Sequence, residues 1–369
     1  MTISMPPPGV SLQTPEVDPS WMRAALVQAG VATADAQLDE VRFEEFIGTG
    51  QLGRSARFTL DWARPNGEPT SVVAKIPGVH PELTAVLFDT GMYDAEIAFY
   101  NDVAPYVDVA RPTCFHASSD RESLNFVILM EDLAAYRAGD QLKGIAMDDI
   151  HRAIEQAAAF HGPRWGDPEL AKIPFYAGRN PDGADFTAKS YRDYLPEVFS
   201  RLGDGLSAAA IDTVERFGAV IGDWVHRTPE APATITHGDF RPDNLLLSPE
   251  TPDRPMIVVD WQTLGLGAGP NDIAYLIGGA TDAEQRRRSE DELLREYLGY
   301  LRDRYAVTDY TESQLRQDYA LGALSGLLVA VTATIRAIRT ERGDALFTLM
   351  IERHAAHARE LGSVELAGG

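Results

Sequence analysis

The sequence predicts an α+β fold with two lobes, a small β-rich lobe followed by a larger and mostly helical one. A chain of 369 residues is long for a single hydrophobic core. Short runs of alternating polar and apolar residues are concentrated before residue 131, and longer stretches with helical spacing follow. We therefore expect a flexible tail at 1–17, a first lobe at 18–132 and a second lobe at 133–369, joined by a hinge near 131–135.

The first lobe contains one capped helix and several short strands. A helix is predicted from Asp18 to Gly30, because Asp18 or Ser20 can cap its start and Gly30 can end it. A second helix is predicted over 81–104, where apolar residues recur at helical spacing. The predicted strands are Val41–Ile47, Ala56–Trp62, Ser71–Ile76, Thr113–Ala117 and Leu124–Met130.

The second lobe is predicted to be helical around one β-like island at Ile235–Val259. Its predicted helices are 148–161, 206–227, 290–305, 312–339 and 344–361. The longest uncharged run, Tyr319–Ile335, is shorter than the ~20 apolar residues of a membrane span and contains several polar residues. We interpret it as a buried helix and expect no membrane span.

Composition excludes several classes of partner. Lys and Arg number 33 against 55 Asp and Glu, so the net charge is −22, which repels nucleic acid and anionic membranes. A single cysteine, Cys114, cannot form an internal disulfide, and the first twenty residues contain no apolar signal core. We expect a cytoplasmic protein that binds no nucleic acid, and no protein partner is evident.

The strongest chemical signal is the segment 237–244, HGDFRPDN, followed by an apolar run that ends at Asp260. Transfer of a phosphoryl group needs an acceptor for the hydroxyl proton and oxygen ligands for magnesium. Asp239 and Asn244 lie five residues apart on a tight loop. Together they can supply the acceptor for the hydroxyl proton and some of the oxygen ligands for magnesium. Asp260, at the end of a buried strand, can complete the metal site. A polar loop between two strands is the alternative, which the joint spacing disfavours.

HxDxxxxN with a downstream strand-terminal Asp resembles the catalytic signature of protein-kinase-like folds. Gly238 after His237, together with the sequence DWQ at 260–262, is similar to the aminoglycoside phosphotransferase and choline kinase superfamily. The resemblance covers about residues 40–280. It implies a protein-kinase-like fold, with Asp239 as catalytic base, Asn244 and Asp260 as magnesium ligands, and His237 as a structural member of the loop.

The glycine-rich segment 48–53 precedes these residues in the order that the resemblance implies. Gly48, Gly50 and Gly53 would let the backbone approach the phosphates of ATP or GTP closely. A dinucleotide-binding loop is the alternative for such a motif, but that loop must open into a helix, and a strand is predicted after residue 53. Lys75, in VVAK, resembles the kinase lysine that neutralises phosphate charge.

Two further positions are assigned to the nucleotide. Glu96, on the helix twenty-one residues after Lys75, is the candidate ion-pair partner of that lysine, although it could also be a solvated helix glutamate. Glu131 and Leu133, in MEDL, resemble the hinge whose backbone groups face the adenine. Glu131 and Asp132 could equally be turn residues.

Asp272, in PNDIA, resembles the family aspartate that braces the catalytic loop, and a role as a helix N-cap is kept open. His161 is interpreted as a packed or capping histidine. Four segments together are most similar to the ecdysteroid-kinase-like branch of the superfamily: residues 96–100, EDL at 131–133, FHG at 160–162 and DWQ at 260–262.

These observations predict a kinase that uses ATP (or GTP) and Mg²⁺ to phosphorylate a hydroxyl group on a small molecule. No space remains between Asp260 and Asp272 for a long activation segment, which disfavours a protein substrate. The resemblance implies a lipophilic acceptor, which would be held by 163–205 and the C-terminal helices. A cationic acceptor of the aminoglycoside or choline type is the first alternative, and a nucleotide-binding pseudokinase is the second. Residues that could form a cationic pocket are Trp165, Phe175, Tyr176, Asp193 and Glu197.

Overall fold

The computed structural model describes residues 15–48, 53–173, 175, 183–227, 230–247 and 255–368. The chain forms two compact units. The first comprises Met1–Pro105, Arg111–Tyr136 and Val259–Gln262, and the second comprises Tyr106–Ala110, Arg137–Val258 and Thr263–Gly369. The short segment that contains Asp260 therefore packs with the first unit, although it lies far along the chain. Most of the predicted tail at 1–17 is outside the described residues.

The first unit is built on one antiparallel sheet with the strand order β1-β2-β3-β5-β4. Its strands are β1 (Leu38–Ile47), β2 (Gly53–Trp62), β3 (Ser71–Pro77), β4 (Cys114–Asp120) and β5 (Asn125–Glu131). The turn between β2 and β3 contains Gly67, which adopts a left-handed φ of 91°. All five predicted strands are present, with ends that differ by a few residues.

Three helices accompany this sheet: α1 (Pro19–Gln28), α2 (Pro81–Asp89) and α3 (Met92–Ala98). The side chain of Asp18 caps α1 by accepting a hydrogen bond from the Ser20 backbone N–H at 2.7 Å. The single helix predicted over 81–104 is wrong, because Gly91 takes a left-handed φ of 73° and separates α2 from α3. A π-helical turn, Phe99–Val103, then extends α3.

A hydrophobic core lies between α1 and one face of the sheet. Alternate residues of β2 and β3 point into it, as expected for strands with a period of two. Its fully buried members include Met22, Leu26, Phe58, Val72 and Leu129. This packing fixes β3, and therefore the strand position of Lys75.

The second unit is mostly helical. Its helices are α4 (Met147–His161), α5 (Gly183–Leu202), α6 (Ala208–His226), α7 (Pro270–Ala280), α8 (Ala283–Tyr305), α9 (Glu312–Arg336), α10 (Glu341–Glu360) and α11 (Ser363–Gly368). Helix α8 begins seven residues before its predicted start, because Asp282 caps it by accepting from the Gln285 N–H at 2.8 Å. Its first turns are so rich in charge that apolar periodicity does not reveal them.

The β-like island forms short strands rather than one continuous strand. They are β7 (Thr234–Thr236), β8 (Leu245–Leu247) and β9 (Ile257–Val258). Two further short strands lie outside the predicted island, namely β6 (Arg137–Ala138) and β10 (Gly265–Gly267). Strands β6, β8 and β9 make one small sheet, and β7 pairs with β10 in another. The segment 237–244 is the connection between β7 and β8, so both of its ends are fixed by strands.

Within the described residues, one helix has the length and apolar composition of a membrane span, namely α9. In its most apolar window 67% of the residues are buried inside the protein, as in the core helix of a soluble protein. Leu324, Leu327 and Val331 of this helix are fully buried in a large cluster formed with α5, α6 and α10. The α+β class, with a small antiparallel sheet and a mostly helical remainder, is confirmed.

Candidate active site

Three of the predicted site residues meet in the first unit around the amino group of Lys75. Its Nζ donates to Glu96 Oε2 at 2.5 Å and to Asp260 Oδ1 at 2.9 Å. Lys75 lies on β3, paired with Ser55 of β2 and Ile128 of β5, so its backbone is held from both sides. The structure thus brings one cation together with two carboxylates, which leaves one excess negative charge.

Burial and charge oppose each other at this cluster. Lys75 and Glu96 are only 8% and 2% exposed. Desolvation by itself would lower the pKa of Lys75, but the carboxylates of Asp260 and Glu96 outweigh it and raise that pKa, so the amino group stays charged. Burial raises the pKa of Glu96 above its ordinary value, against the attraction of Lys75.

The backbone around Asp260 is held in an unusual conformation. Asp260 has a left-handed φ of 67°, which is strained for a residue with a side chain. The next residue, Trp261, is fully buried and stacks on Phe99 with ring centroids 3.7 Å apart and planes 4° apart. Because Phe99 directly follows the helix that carries Glu96, the same stacking supports both carboxylates that contact Lys75.

The glycine-rich segment connects two antiparallel strands. Gly48 has a left-handed φ of 77°, and Gly53 begins β2. A Cβ atom at Gly53 would lie 3.3 Å from Lys75 Cε, so a side chain there would crowd the lysine. Gly50 lies outside the described residues. The strand that follows this segment excludes the dinucleotide-binding alternative, which needs a helix.

The predicted hinge follows β5. The backbone N–H of Glu131 donates to the Thr113 carbonyl at 3.0 Å, and the Glu131 carboxylate accepts from the Thr113 N–H at 2.7 Å. Asp132 accepts a hydrogen bond from Arg57 at 2.9 Å, and the carbonyl of Leu133 accepts from Tyr136 N–H at 2.8 Å. The side chains of Glu131 and Asp132 therefore stabilise the local structure, and their contacts do not test whether the backbone here binds a base.

In the second unit, the carboxylate of Asp239 receives hydrogen bonds from three side chains. Asn244 Nδ2 donates to Oδ2 at 2.9 Å and also to the backbone carbonyl of Asp239 at 2.8 Å. Arg241 Nε lies 3.1 Å from Oδ1, and the hydroxyl of Tyr275 donates to Oδ1 at 2.9 Å. The two loop residues predicted to act together are therefore in direct contact.

Asp272 supports the backbone of the same loop. Its carboxylate accepts from the N–H groups of His237 and Gly238 at 2.7 and 2.9 Å. The N-cap of α7 is Gly269, with no side-chain cap, so the geometry agrees with the brace rather than with the N-cap alternative. Gly238 has a left-handed φ of 78°, and a Cβ there would lie 2.8 Å from the Thr263 carbonyl oxygen, so glycine is required.

Two buried histidines flank this brace. His161 Nε2 contacts the Asp272 carboxylate at 3.2 Å, and its Nδ1 lies 2.9 Å from the Tyr297 hydroxyl. Burial lowers the pKa of His161 despite the nearby carboxylate, so it packs as a neutral ring. His237 is also fully buried, and its carbonyl accepts from Thr263 Oγ1 at 2.7 Å. Both histidines thus occupy structural positions.

Each of the two predicted magnesium ligands, one in each unit, carries the oxygen donors that this ion prefers. Asp260 carries carboxylate oxygens. The amide nitrogen of Asn244 donates to Asp239, so the ligand that Asn244 would offer to a metal ion is its amide oxygen. In the part of the chain that the structure describes, no group of three or more His, Cys, Asp or Glu side chains could hold a metal ion. Magnesium in proteins usually takes much of its coordination from phosphate and water.

Among the described residues, those suggested for a cationic acceptor have other contacts or are exposed. Trp165 packs against Tyr310 with ring centroids 5.2 Å apart, Asp193 pairs with Lys189 on the surface of α5, and Glu197 is exposed. Phe175 is half-buried, and Tyr176 lies outside the described residues. An exposed carboxylate that is already paired gives little basis for cation recognition.

Sequence reasoning missed two residues that touch Asp239. Arg241 lies within the motif and was left without a role. Tyr275 follows Asp272 by three residues, a spacing that places both on one face of a helix. That helical spacing was the available signal, and it would have directed Tyr275 towards the loop that Asp272 braces.

Comparisons with known structures show the same fold. A choline kinase from Cryptosporidium parvum Iowa II superposes with a TM-score of 0.58 at 11% identity, covering 94% of this chain and 97% of that one. An aminoglycoside 2'-phosphotransferase-IIIa solved with GDP has a TM-score of 0.53 at 14% identity, covering 92% of this chain and 99% of that one. A Plasmodium vivax ethanolamine kinase has a TM-score of 0.52 at 11% identity, covering 89% of this chain and 86% of that one. At these identities the likeness establishes the protein-kinase-like fold.

Sequence comparison establishes the family. A comparison with curated proteins gives no match. The model of the phosphotransferase enzyme family, APH, matches residues 90–314, which is more than half of the chain and includes the segment 237–244, Asp260 and Asp272. The chain is therefore a phosphotransferase and belongs to the phosphotransferase enzyme family.

Proposed function

We propose that this phosphotransferase moves the γ-phosphoryl group of ATP or GTP to a hydroxyl group of a small molecule. The observation that carries the proposal is the Asp239 carboxylate, held by Asn244 on a loop that Asp272 braces from behind. A fixed carboxylate of this kind can orient a hydroxyl group and accept its proton. Family membership supplies the reaction class.

The nucleotide is assigned to residues of the first unit. The charged amino group of Lys75, positioned by Glu96, would bind phosphate oxygens, and the glycines at 48–53 would let backbone N–H groups approach them. The backbone at Glu131 and Leu133 is the proposed contact for the base. A GDP complex of a protein with this fold makes GTP as reasonable a donor as ATP.

The chemistry is assigned to Asp239. The acceptor oxygen forms a bond to the γ-phosphorus while the bond between that phosphorus and the β,γ-bridging oxygen breaks, releasing ADP or GDP. The hydroxyl proton passes to Asp239 and then to solvent. Asn244 and Asp260 would hold Mg²⁺, which neutralises phosphate charge when bound. Positioning and electrostatics supply most of the acceleration in such reactions.

The acceptor class is proposed as a neutral or lipophilic alcohol. A cationic acceptor is the second candidate, because choline, ethanolamine and aminoglycoside kinases share this fold. Asp193, which was suggested as a cation ligand, is already paired with Lys189. Assignment to the ecdysteroid-kinase-like branch, and a cytoplasmic location, stay predictions.

The experiment is a screen of hydroxylated small molecules for acceptor-dependent release of ADP or GDP, with excess Mg²⁺ and with a chelator. We expect a product one phosphoryl group heavier by mass spectrometry, formed only with the metal. Including choline, ethanolamine and aminoglycosides separates the two acceptor classes. The Asp239→Asn variant is the control for contaminating kinases, because it keeps the shape of the site without the charge.

Nucleotide binding without turnover on any acceptor would favour the pseudokinase alternative. Binding is measured separately by calorimetry, with and without Mg²⁺. Absence of both binding and turnover would overturn the nucleotide assignment itself.

A further inference from the structure

The carboxylate of Asp239 is held in one orientation from two directions. At Oδ1 it accepts a hydrogen bond from the Tyr275 hydroxyl at 2.9 Å, and Arg241 Nε lies 3.1 and 3.2 Å from its two oxygens. Asn244 donates to Oδ2 at 2.9 Å. Three donors therefore restrict the rotation of a side chain that otherwise turns easily about its terminal bond.

Tyr275 is suited to donate throughout the working pH range. It is 2% exposed and lies on α7, one turn after the bracing Asp272. Burial, and then the charge of Asp239, raise the pKa of the Tyr275 hydroxyl well above its ordinary value. The group is therefore a neutral donor, which orients the carboxylate without cancelling its charge.

The ring of Tyr275 is itself fixed by packing. It stacks on the imidazole of His354, with ring centroids 5.3 Å apart and planes 20° apart. His354, on α10, is fully buried and lies against Gly278, where an added Cβ would approach its Nδ1 to 2.8 Å. Because no larger residue fits at Gly278 without a shift, this packing leaves the tyrosine ring little freedom.

Arg241 makes contacts of a different kind. Its guanidinium also pairs with Asp243 at 2.8 Å and donates to Gln141 Oε1 at 3.2 Å. The arginine is therefore shared between two carboxylates, and its charge is balanced within the loop. Loss of Arg241 would disturb several groups at once, whereas loss of the Tyr275 hydroxyl removes a single hydrogen bond.

We infer that Tyr275 is a positioning residue for phosphoryl transfer, one that holds Asp239 in the orientation in which it receives the acceptor hydroxyl. This inference rests on the proposed function of Asp239. A base that rotates away from the acceptor reacts less often, although the nucleotide is bound as before. The structure therefore assigns to Tyr275 an effect on kcat and none on the KM for nucleotide.

The test compares two tyrosines with the same chemistry. Tyr275→Phe keeps the ring and its contact with His354 and removes only the hydroxyl. Tyr310→Phe is the matched control, because Tyr310 is also 2% exposed and donates to a buried carboxylate, Asp318 Oδ2, at 2.7 Å. That carboxylate keeps two backbone N–H donors when the hydroxyl is lost.

We expect Tyr275→Phe to lower kcat by about tenfold to a hundredfold, the factor that corresponds to one hydrogen bond to a charged group, with the nucleotide KM within twofold. Tyr310→Phe should lower the melting temperature similarly and leave kcat near the wild-type value. Equal kcat in the two variants, whether reduced or not, would overturn the inference. A rise in nucleotide KM with unchanged kcat would do the same.

A second measurement does not depend on turnover. The free energies of urea unfolding of Tyr275→Phe, Asp239→Ala and the double variant form a thermodynamic cycle, in which each single change removes the hydrogen bond. We expect the two changes to be non-additive. Additive effects would refute the contact, whatever the activity. If the wild-type protein transfers no phosphoryl group, the proposed function fails, and the cycle still decides between the contact and its absence.

Discussion

The support that Asp272 gives to the loop of Asp239 offers the most demanding test of the proposed site. We predict that Asp272→Asn both destabilises the protein and slows phosphoryl transfer. Asp272 is 2% exposed, and its two carboxylate oxygens accept the backbone N–H groups of His237 and Gly238. An asparagine keeps the size but presents one oxygen and one NH₂ group, so one of the two backbone donors faces another donor.

The magnitude follows from the bonds that are lost. A hydrogen bond to a charged group contributes roughly 1.5–3 kcal/mol, and an unsatisfied buried donor costs roughly 1–3 kcal/mol. We therefore expect a loss of about 3–5 kcal/mol. At roughly 2–4 °C per kcal/mol for a large domain, the melting temperature should fall by about 6–20 °C. A loop shift of about 1 Å would lower kcat by about a hundredfold.

Asp318→Asn is the matched control for the brace. Asp318 is also 2% exposed, and it accepts the N–H groups of Glu230 and Ala231 at 2.8 and 2.6 Å. It thus loses the same kinds of bond, at a loop that does not carry Asp239. Differential scanning calorimetry gives the stability of both variants, and kcat is measured well below both melting temperatures.

The expected pattern is a similar loss of stability in both variants with a loss of kcat in Asp272→Asn alone. If both variants lose kcat in the same proportion, the effect is one of general stability, and the brace has no specific role. If Asp272→Asn leaves the melting temperature unchanged, the two short hydrogen bonds contribute nothing measurable, and the reasoning from burial is refuted.

Three other predictions concern separate parts of the molecule. Asp239→Asn should lower kcat by about 10²–10⁴-fold in steady-state assays and leave calorimetric nucleotide affinity nearly unchanged; a loss of affinity with normal kcat would contradict this. Nucleotide and Mg²⁺ together should raise the melting temperature by more than the sum of their separate shifts, because the Asp260 carboxylate repels a phosphate that carries no metal ion; purely additive shifts would argue against a shared site. Burial lowers the pKa of His354 to about 3 from an ordinary 6.5, so its neutral form stabilises the fold above pH 6.5 and that contribution is lost as the pH falls towards 3. Urea unfolding between pH 7 and 5 should show a loss about 2 kcal/mol smaller in His354→Leu than in the wild type, and parallel pH profiles would refute this.

Much of the fold and the site could be predicted because local rules act there. The strands of the first unit follow from alternation and turn residues, and the catalytic segment follows from its spacing between two strands. The ion pair between Lys75 and Glu96, which are twenty-one residues apart, could be expected only from the order of motifs in a known family. Their functional roles remain predictions.

Other features depend on long-range contacts that no local pattern encodes. The break at Gly91 could be suspected from a glycine, but a glycine inside a helical pattern is often tolerated. Asp260 packs with the first unit, where its neighbour Trp261 stacks on Phe99, a residue 162 positions earlier in the chain. The contact of Tyr275 with His354 likewise depends on the packing of two helices.

The charges around Lys75 indicate how the first unit would respond to a nucleotide. Its amino group is shared between the buried Glu96 and the more accessible Asp260, whose side chain is 29% exposed. On the proposed function, a triphosphate would compete for the amino group, and a divalent cation would compete for the Asp260 carboxylate. Each ligand would then replace the partner that the other removes. Glu96 is too buried to exchange its partner for water, since an unpaired buried charge is strongly unfavourable. The pair of Lys75 with Glu96 should therefore persist, while the pair with Asp260 is the one that ligands replace.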